Sequence, residues 1–310
     1  MKKLLFHTSS YQYLADKVEA LGKYERGELE VTHFSDGERY QRIISDVDDR
    51  NVVLIGGTVS DPCTLELFDL ASALVSYGAN SLALVVPYYG YSTMERAVKK
   101  REIVTAKTRA RLFSAIPQSH KGNKIYLFDL HTEGIPHYFE QNLQPMHIYC
   151  KDIVIEAARE YGGDNFVLAS TDAGRAKWVE SLANDLKVNA AFVLKRRLSG
   201  DKTEVSAINA DVHGRTVIIY DDLIRSGGSI INAARTYREA GADKIYVITT
   251  HGLFINDAIS KLRASQLIEK VICTDTHSNT QHLKDDGFVE IRTIADLIHH
   301  HLSLARKRPQ

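Results

Sequence analysis

Seven short, almost uninterrupted apolar runs punctuate this chain: VVLIGG from Val52, LALVVPYYG from Leu82, KIYLFDLH from Lys124, FVLAST from Phe166, VIIYDD from Val217, KIYVITTHG from Lys244 and KVICTD from Lys270. Amphipathic stretches such as LELFDLASALVSYG and IINAARTYREAG separate them. A strand that is apolar at successive positions is buried on both faces, and a helix between two such strands supplies the crossover that parallel pairing needs. The pattern predicts an α/β fold with mainly parallel sheets flanked by helices.

The pattern also echoes itself. Gly78-Ala79-Asn80 precedes LALVVPYY, and Gly241-Ala242-Asp243 precedes the strand IYVITTHG. In both places a helix stops at glycine, the residue suited to a left-handed C-cap, and a buried strand follows at once. LFDLHT from Leu127 corresponds in the same way to ICTDTHS from Ile272. The chain reads as two related α/β domains in tandem, 1–147 and 148–310, although chance echoes between α/β segments are the alternative. With 310 residues of which 44% are hydrophobic, each half is large enough to bury a core.

Lys plus Arg and Asp plus Glu both total 39, so no global basic field points to nucleic acid. The N-terminal MKKLLF begins like a secretory leader, but its apolar run ends after Phe6, too short for such a segment. No stretch approaches the roughly 18 apolar residues that cross a bilayer, which excludes a membrane span. Cys63, Cys150 and Cys273 are sparse and form no metal-binding spacing. They fit reduced thiols in a cytoplasmic protein.

The segment VIIYDDLIRSGGSIINAART, residues 217 to 236, carries the strongest chemical signal. An apolar strand is expected to end at Asp221-Asp222. A short loop with Arg225, Ser226, Gly227, Gly228 and Ser229 then leads into a helix. A Gly-Gly turn lets backbone N–H groups converge on an anion, and the helix N-terminus and serine hydroxyls add to the attraction. Adjacent strand residues face opposite ways, so both aspartates serve one site only if the strand stops there. No GxxxxGK[ST] loop occurs.

This segment resembles the ribose-phosphate loop of the phosphoribosyltransferase superfamily, and further segments narrow the resemblance to ribose-phosphate diphosphokinases. FSDGE, Phe34 to Glu38, is similar to that family's adenine-contacting loop, with Phe34 for stacking and Asp36 and Glu38 as acceptors. VPYYGYSTMER, containing Glu95 and Arg96, resembles its ATP segment, and FDLH resembles the segment carrying a metal- and ATP-associated histidine, here His131. STDAG looks like its pyrophosphate loop, which assigns Asp172, Gly174 and Arg175 to phosphate or acceptor contacts and Asp172 with His131 to a metal. LKRR looks like the start of its catalytic flexible loop, which makes Lys195 and Arg197 the catalytic cations. The resemblance implies two tandem phosphoribosyltransferase-like domains, Mg²⁺ as cofactor and ATP as donor. It further implies ribose 5-phosphate as acceptor and a homo-oligomer, dimer or hexamer. Asp129 and His131, two apart on an expected strand, would share one face.

Some positions depart from the family pattern. Arg225 and Ser226 stand where an Asp and a Thr are usual, Arg175 replaces a glycine, and Thr93 with Met94 replaces an Arg-Gln pair. Two added arginines near the acceptor and diphosphate loops raise phosphate-binding capacity, so ADP-ribose, as in NAD-rebuilding pathways, is an alternative acceptor. A non-catalytic regulatory homologue and a nucleobase phosphoribosyltransferase are the competing classes. The retained Lys195, Arg197 and paired aspartates oppose the first, and the tandem domains with FSDGE oppose the second. The basic stretch Arg96, Lys99, Lys100, Arg101, Lys107, Arg109 and Arg111 reads either as a solvated helix face or as an anion-binding patch. His299, His300 and His301 fall in an expected C-terminal helix, point in different directions and receive no function.

Overall fold

The computed structural model describes residues 2–141, 143–171, 174, 176–197 and 203–304; the side chains at 176, 194–197 and 203–207 lie outside the described set. The chain divides into two compact units, Met1–Tyr149 joined by the segment from Ile294, and Cys150–Thr293.

Unit 1 runs β1 (Lys3–His7), α1 (Gln12–Ala20), β2 (Tyr24–Arg26), β3 (Leu29–His33), β4 (Arg39–Ile43), β5 (Asn51–Ile55), α2 (Asp61–Ser76), β6 (Ser81–Val86), α3 (Thr105–Ser114), β7 (Asn123–Phe128) and β8 (Leu143–Ile148). Six of its strands form a wholly parallel sheet in the order β2-β1-β5-β6-β7-β8, and β3 with β4 makes a separate antiparallel hairpin. Unit 2 runs α4 (Lys151–Gly162), β9 (Phe166–Ser170), α5 (Ala176–Leu186), β10 (Asn189–Arg197), β11 (Thr203–Ile208), β12 (Thr216–Ile224), α6 (Gly228–Glu239), β13 (Lys244–Gly252), α7 (Ala258–Ala264), β14 (Lys270–Thr274) and β15 (Val289–Arg292). Its sheet has the order β11-β10-β9-β12-β13-β14-β15, parallel except for β11.

Successive residues of β12 show why the runs are continuously apolar. Val217 and Ile219 join a core with Tyr237 of α6 and Leu262 of α7. Ile218 and Tyr220 join a second core with Val154 of α4 and Val179 of α5 on the opposite face. Each such residue removed from water contributes about 1.5–3 kcal/mol, so every position along the strand is selected for an apolar side chain.

The echo between the halves extends to individual hydrogen bonds. In unit 1, Asp48 N–H donates to Asp46 Oδ1, Arg50 N–H to Val47 O, Asp49 N–H to Gly78 O and Asn80 N–H to Arg50 O. In unit 2, His213 N–H donates to Asp211 Oδ1, Arg215 N–H to Val212 O, Gly214 N–H to Gly241 O and Asp243 N–H to Arg215 O. Gly78 and Gly241 hold φ of 96° and 93°. The strands that enter and leave these junctions occupy matching places in the two sheet orders. The bonds expose a sequence echo missed above, Asp46-Val47-x-x-Arg50-x-Val52 against Asp211-Val212-x-x-Arg215-x-Val217.

Three expectations need correction. The helix α8 (Ala295–Leu304) packs in unit 1, not in a second domain reaching 310. Lys3 Nζ donates to Leu302 O at 2.7 Å, and His299 lies 2.9 Å from Lys23 Nζ and 3.0 Å from the Tyr24 hydroxyl. His299 therefore has a docking role that helix periodicity does not reveal. Second, β12 does not stop at Asp221-Asp222 but continues to Ile224, because β13 pairs with it as far as Gly252. Third, Lys195 and Arg197 belong to β10, with backbones paired to Val205 and Thr203, not to a loop.

Two outcomes test this account. A Cβ on Gly241 would sit 2.6 Å from His213 Cδ2, in a left-handed backbone. Gly241→Ala should cost roughly 1–2 kcal/mol or more, and an unchanged urea midpoint would contradict the C-cap argument. Burial, then the neighbouring His251, pulls the His277 imidazole down to about 4. Its Nδ1 accepts from Asn279 N–H at 3.2 Å, which requires a bare nitrogen. The unfolded chain protonates this imidazole near 6.5, so it binds the extra proton between the two values and stability falls as pH drops from about 6.5 to about 4. At about pH 5 the loss from this group is about 2 kcal/mol. His277→Gln should flatten the fall in urea midpoint between about pH 7 and pH 5; an undiminished fall would assign the acid sensitivity to other groups.

Candidate functional site

In a parallel sheet covered on both faces, only the loops at the carboxyl ends of the strands are free to bind. In unit 2 those ends belong to the neighbours β9 and β12. Tyr220 pairs in register with Ser170, so Asp221 emerges beside Thr171. The Thr171 hydroxyl donates to Asp221 Oδ2 at 3.2 Å, and Asp222 N–H donates to Asp221 Oδ1 at 3.0 Å. Both oxygens of this half-buried carboxylate are thereby oriented. Behind them, the Tyr237 hydroxyl on α6 donates to Ser170 O at 2.9 Å and pins the end of β9. Thr171 and Tyr237 escaped the sequence reading; Tyr237 sits on a helix face that periodicity assigns to the core.

The persistence of β12 separates the two aspartates. Asp221 is half-buried, whereas Asp222 is buried and turned to the other face of the sheet. They do not form the side-by-side pair that a strand ending at this point would give.

After Ile224 come exposed Arg225 and Ser226, then Gly227 with φ 79° as the residue before α6. Among the described residues no side chain caps this helix. Its first-turn N–H groups therefore remain available to an anion, with the positive end of the helix dipole behind them. A Cβ added to Gly228 would meet no atom within 4 Å, and Ser229 beside it is exposed.

In unit 1 the positions that the junction echo sets against Asp221 and Asp222 are glycines lying under packed side chains. There β5 runs through Gly56 and Gly57 toward α2; a Cβ on Gly56 would lie 2.6 Å from Thr8 and Leu67 side-chain atoms, and one on Gly57 would run into the Tyr11 ring. The α2 N-terminus is already served by its own Ser60, which accepts from Cys63 N–H at 3.3 Å. At α6, by contrast, the N-cap residue Gly227 has no side chain to do this.

Unit 1 carries a different set. FSDGE forms the turn of the β3–β4 hairpin, closed by Phe34 N–H to Glu38 O at 2.8 Å and by Glu38 N–H to Asp36 Oδ1 at 3.0 Å. Phe34 is 57% exposed and meets Tyr40 edge-on, so an aromatic face is presented to solvent. Glu95 pairs with the exposed Arg96 at 3.5 Å, and Glu95 O accepts from the Tyr138 hydroxyl at 2.6 Å. Arg109 of the basic stretch bonds Asp61 at 2.8 Å and stacks over Tyr91, whose hydroxyl also donates to Asp61 at 2.9 Å. That arginine braces the ATP-like segment instead of standing as a solvated charge.

β7 ends at Phe128, and Asp129 takes φ 34°, so the alternation that would put Asp129 and His131 on one strand face does not apply. Asp129 is buried and His131 half-buried. Gly174 is exposed. Asp172 and Arg175 lie outside the described residues, as do the side chains of Lys195 and Arg197. Among the described residues no three His, Cys, Asp or Glu side chains converge as a metal cage. Nor is any helix there long and apolar enough to cross a membrane. No disulfide joins Cys63, Cys150 or Cys273.

Comparison with known proteins reads the same architecture. Residues 3–116 match the N-terminal domain of ribose phosphate pyrophosphokinase, and residues 168–300 match the phosphoribosyl synthetase-associated domain. The ribose-phosphate pyrophosphokinase of Fusobacterium nucleatum is 30% identical over 287 residues, covering 91% of this chain and 88% of that protein. Ribose-phosphate pyrophosphokinase 1 of Lactococcus lactis is 32% identical over 300 residues, covering 95% and 90%. The crystal structure of phosphoribosylpyrophosphate synthetase from Mycobacterium smegmatis superposes with a TM-score of 0.86 at 25% identity, covering 98% of this chain and 99% of that one. Similarity along nearly the full length of both partners, over both units, makes this chain an enzyme of the ribose-phosphate pyrophosphokinase family.

Proposed function

We propose that the chain transfers the β,γ-diphosphoryl group of ATP to the C1 hydroxyl of ribose 5-phosphate, releasing AMP and a ribose 1-diphosphate. The observation that carries this reading is the open, uncapped start of α6 beside the oriented Asp221 carboxylate. The α6 amides, with Ser226 and Ser229, take the 5-phosphate of the acceptor. Asp221, held by Thr171 and its own neighbouring amide, accepts from a ribose hydroxyl and fixes the sugar. The C1 oxygen, on losing its proton, attacks the β-phosphorus, and the bond from that phosphorus to the α–β bridging oxygen breaks.

In such a transfer the protein mainly positions groups and neutralises charge. Lys195 and Arg197 are assigned the charge on the moving diphosphate, and Phe34 stacks on adenine with Asp36, Glu38, Glu95 and Arg96 around the nucleotide. His131 would contact Mg²⁺, and Asp172 a metal or a ribose hydroxyl. A few protein ligands fit this ion, since Mg²⁺ keeps several waters and takes the rest of its shell from substrate phosphates. Its contribution is charge neutralisation on the polyphosphate.

A second acceptor, ADP-ribose, is favoured by one feature. Arg225 stands exposed beside the phosphate notch, where a further phosphate of a longer acceptor would find a planar, bidentate partner. Supplying ribose 5-phosphate and ADP-ribose in parallel with ATP and Mg²⁺, and counting AMP, separates the two. Arg225→Asp should weaken ADP-ribose about tenfold more than ribose 5-phosphate; equal losses would remove the arginine from acceptor choice. AMP from neither acceptor would instead favour a regulatory role. Gly228→Val should leave the melting temperature unchanged, because the site is open, yet raise the acceptor KM about tenfold or more by filling the notch. A variant with normal KM would place the acceptor phosphate elsewhere.

A further inference from the structure

The parallel ladder between β7 and β8 reaches one residue beyond β7: Asp129 N–H donates to Ile148 O at 2.9 Å. At that residue the backbone turns left-handed, with φ 34°. A non-glycine residue in this region is disfavoured and persists only where neighbours hold it. The next amide belongs to the buried Leu130. It donates not to a strand carbonyl but to Nε2 of His147 on β8, at 3.0 Å. The left-handed turn at Asp129 thus leaves the Leu130 amide to an imidazole nitrogen of the neighbouring strand. Because Nε2 accepts, the ring proton sits on Nδ1. The ring itself packs on Tyr149 with centroids 4.3 Å apart, and the Tyr149 hydroxyl donates to Glu133 Oε1 at 3.2 Å. Burial, then Glu133 and Asp129, raise the Tyr149 phenol above its usual range, so that hydroxyl stays protonated as a donor. The turn from 129 to 131 is therefore held by the His147 ring, itself packed on Tyr149, and none of the site assignments above uses either side chain.

We propose that His147 is a positioning residue for the reaction: by accepting from Leu130 N–H it locks the strained turn that presents His131 to the ATP polyphosphate. The inference rests on the diphosphokinase reading for the role of His131. Without the imidazole acceptor, a buried amide is left unsatisfied and the left-handed Asp129 loses its constraint. His131, one residue on, then samples several orientations, and polyphosphate binding weakens in proportion to the lost population.

The test compares wild type, His147→Phe and His147→Gln. Phenylalanine keeps a ring against Tyr149 but removes the acceptor, whereas the glutamine amide oxygen restores one. Titration calorimetry with Mg·ATP should show binding about tenfold weaker in His147→Phe and within about threefold of wild type in His147→Gln. Affinity for ribose 5-phosphate should stay within about twofold in both. Hydrogen exchange at the Leu130 amide should be accelerated about tenfold in the phenylalanine variant alone. Leu130 protection unchanged in His147→Phe, or equal weakening toward Mg·ATP and ribose 5-phosphate, overturns the proposal. So does a His147→Gln protein that melts like wild type but binds like the phenylalanine variant. Neither readout needs turnover, so a wild-type protein inactive with both acceptors would sink the diphosphokinase reading while these measurements still judge His147.

Discussion

A parallel strand wrapped by helices on both faces has no surface of its own to offer a ligand. β12 alternates between two cores residue by residue, and chemistry becomes possible only where that alternation runs out. The place where it runs out is set by β13, which keeps pairing as far as Gly252 and carries β12 two residues past Asp222. That extension buries Asp222, leaves Asp221 within reach of Thr171, and brings the chain to Gly227 at the height where α6 begins. Carboxylate, hydroxyl and uncapped helix start are neighbours because one strand pairing fixes the distance between them.

The two units solve the same folding problem and differ in how they end their central strands. Their sheets share strand order, and their glycine junctions share four hydrogen bonds in corresponding places. In unit 1, Tyr11, Thr8 and Leu67 pack over Gly56 and Gly57, the positions that the junction register sets against Asp221 and Asp222 of unit 2. Where unit 2 places two carboxylates, unit 1 therefore has close backbone packing.

The sequence made the centre of each sheet plain and its margins obscure. The seven apolar runs became β5, β6, β7, β9, β12, β13 and β14, each flanked by strands on both sides. The edge strands β2, β8, β11 and β15 left no comparable signal, since an edge is paired on one side only and tolerates polar residues and proline. Pro145 lies within β8, which runs across the expected domain boundary at 147. The phosphate loop was legible because glycine, serine and aspartate cluster there for local reasons. Thr171, Tyr237 and His147 were not, because their value comes from partners 50, 67 and 17 residues away in the chain. A one-dimensional pattern does not register such pairings. Nor does it register that a strand will be prolonged by its neighbour, which is why the two aspartates were expected side by side.

The docking of α8 against β1 and β2 has a temporal side. Every other element of unit 1 is synthesised before any element of unit 2, yet Leu302 and His299, the partners of Lys3, Lys23 and Tyr24, are made after it. The first-made unit must wait with one flank uncovered while the second, contiguous from Cys150 to Thr293, is completed. The last contacts of unit 1 therefore form only after unit 2 has been made, and its β1–β2 flank stays open longest to chaperones and proteases.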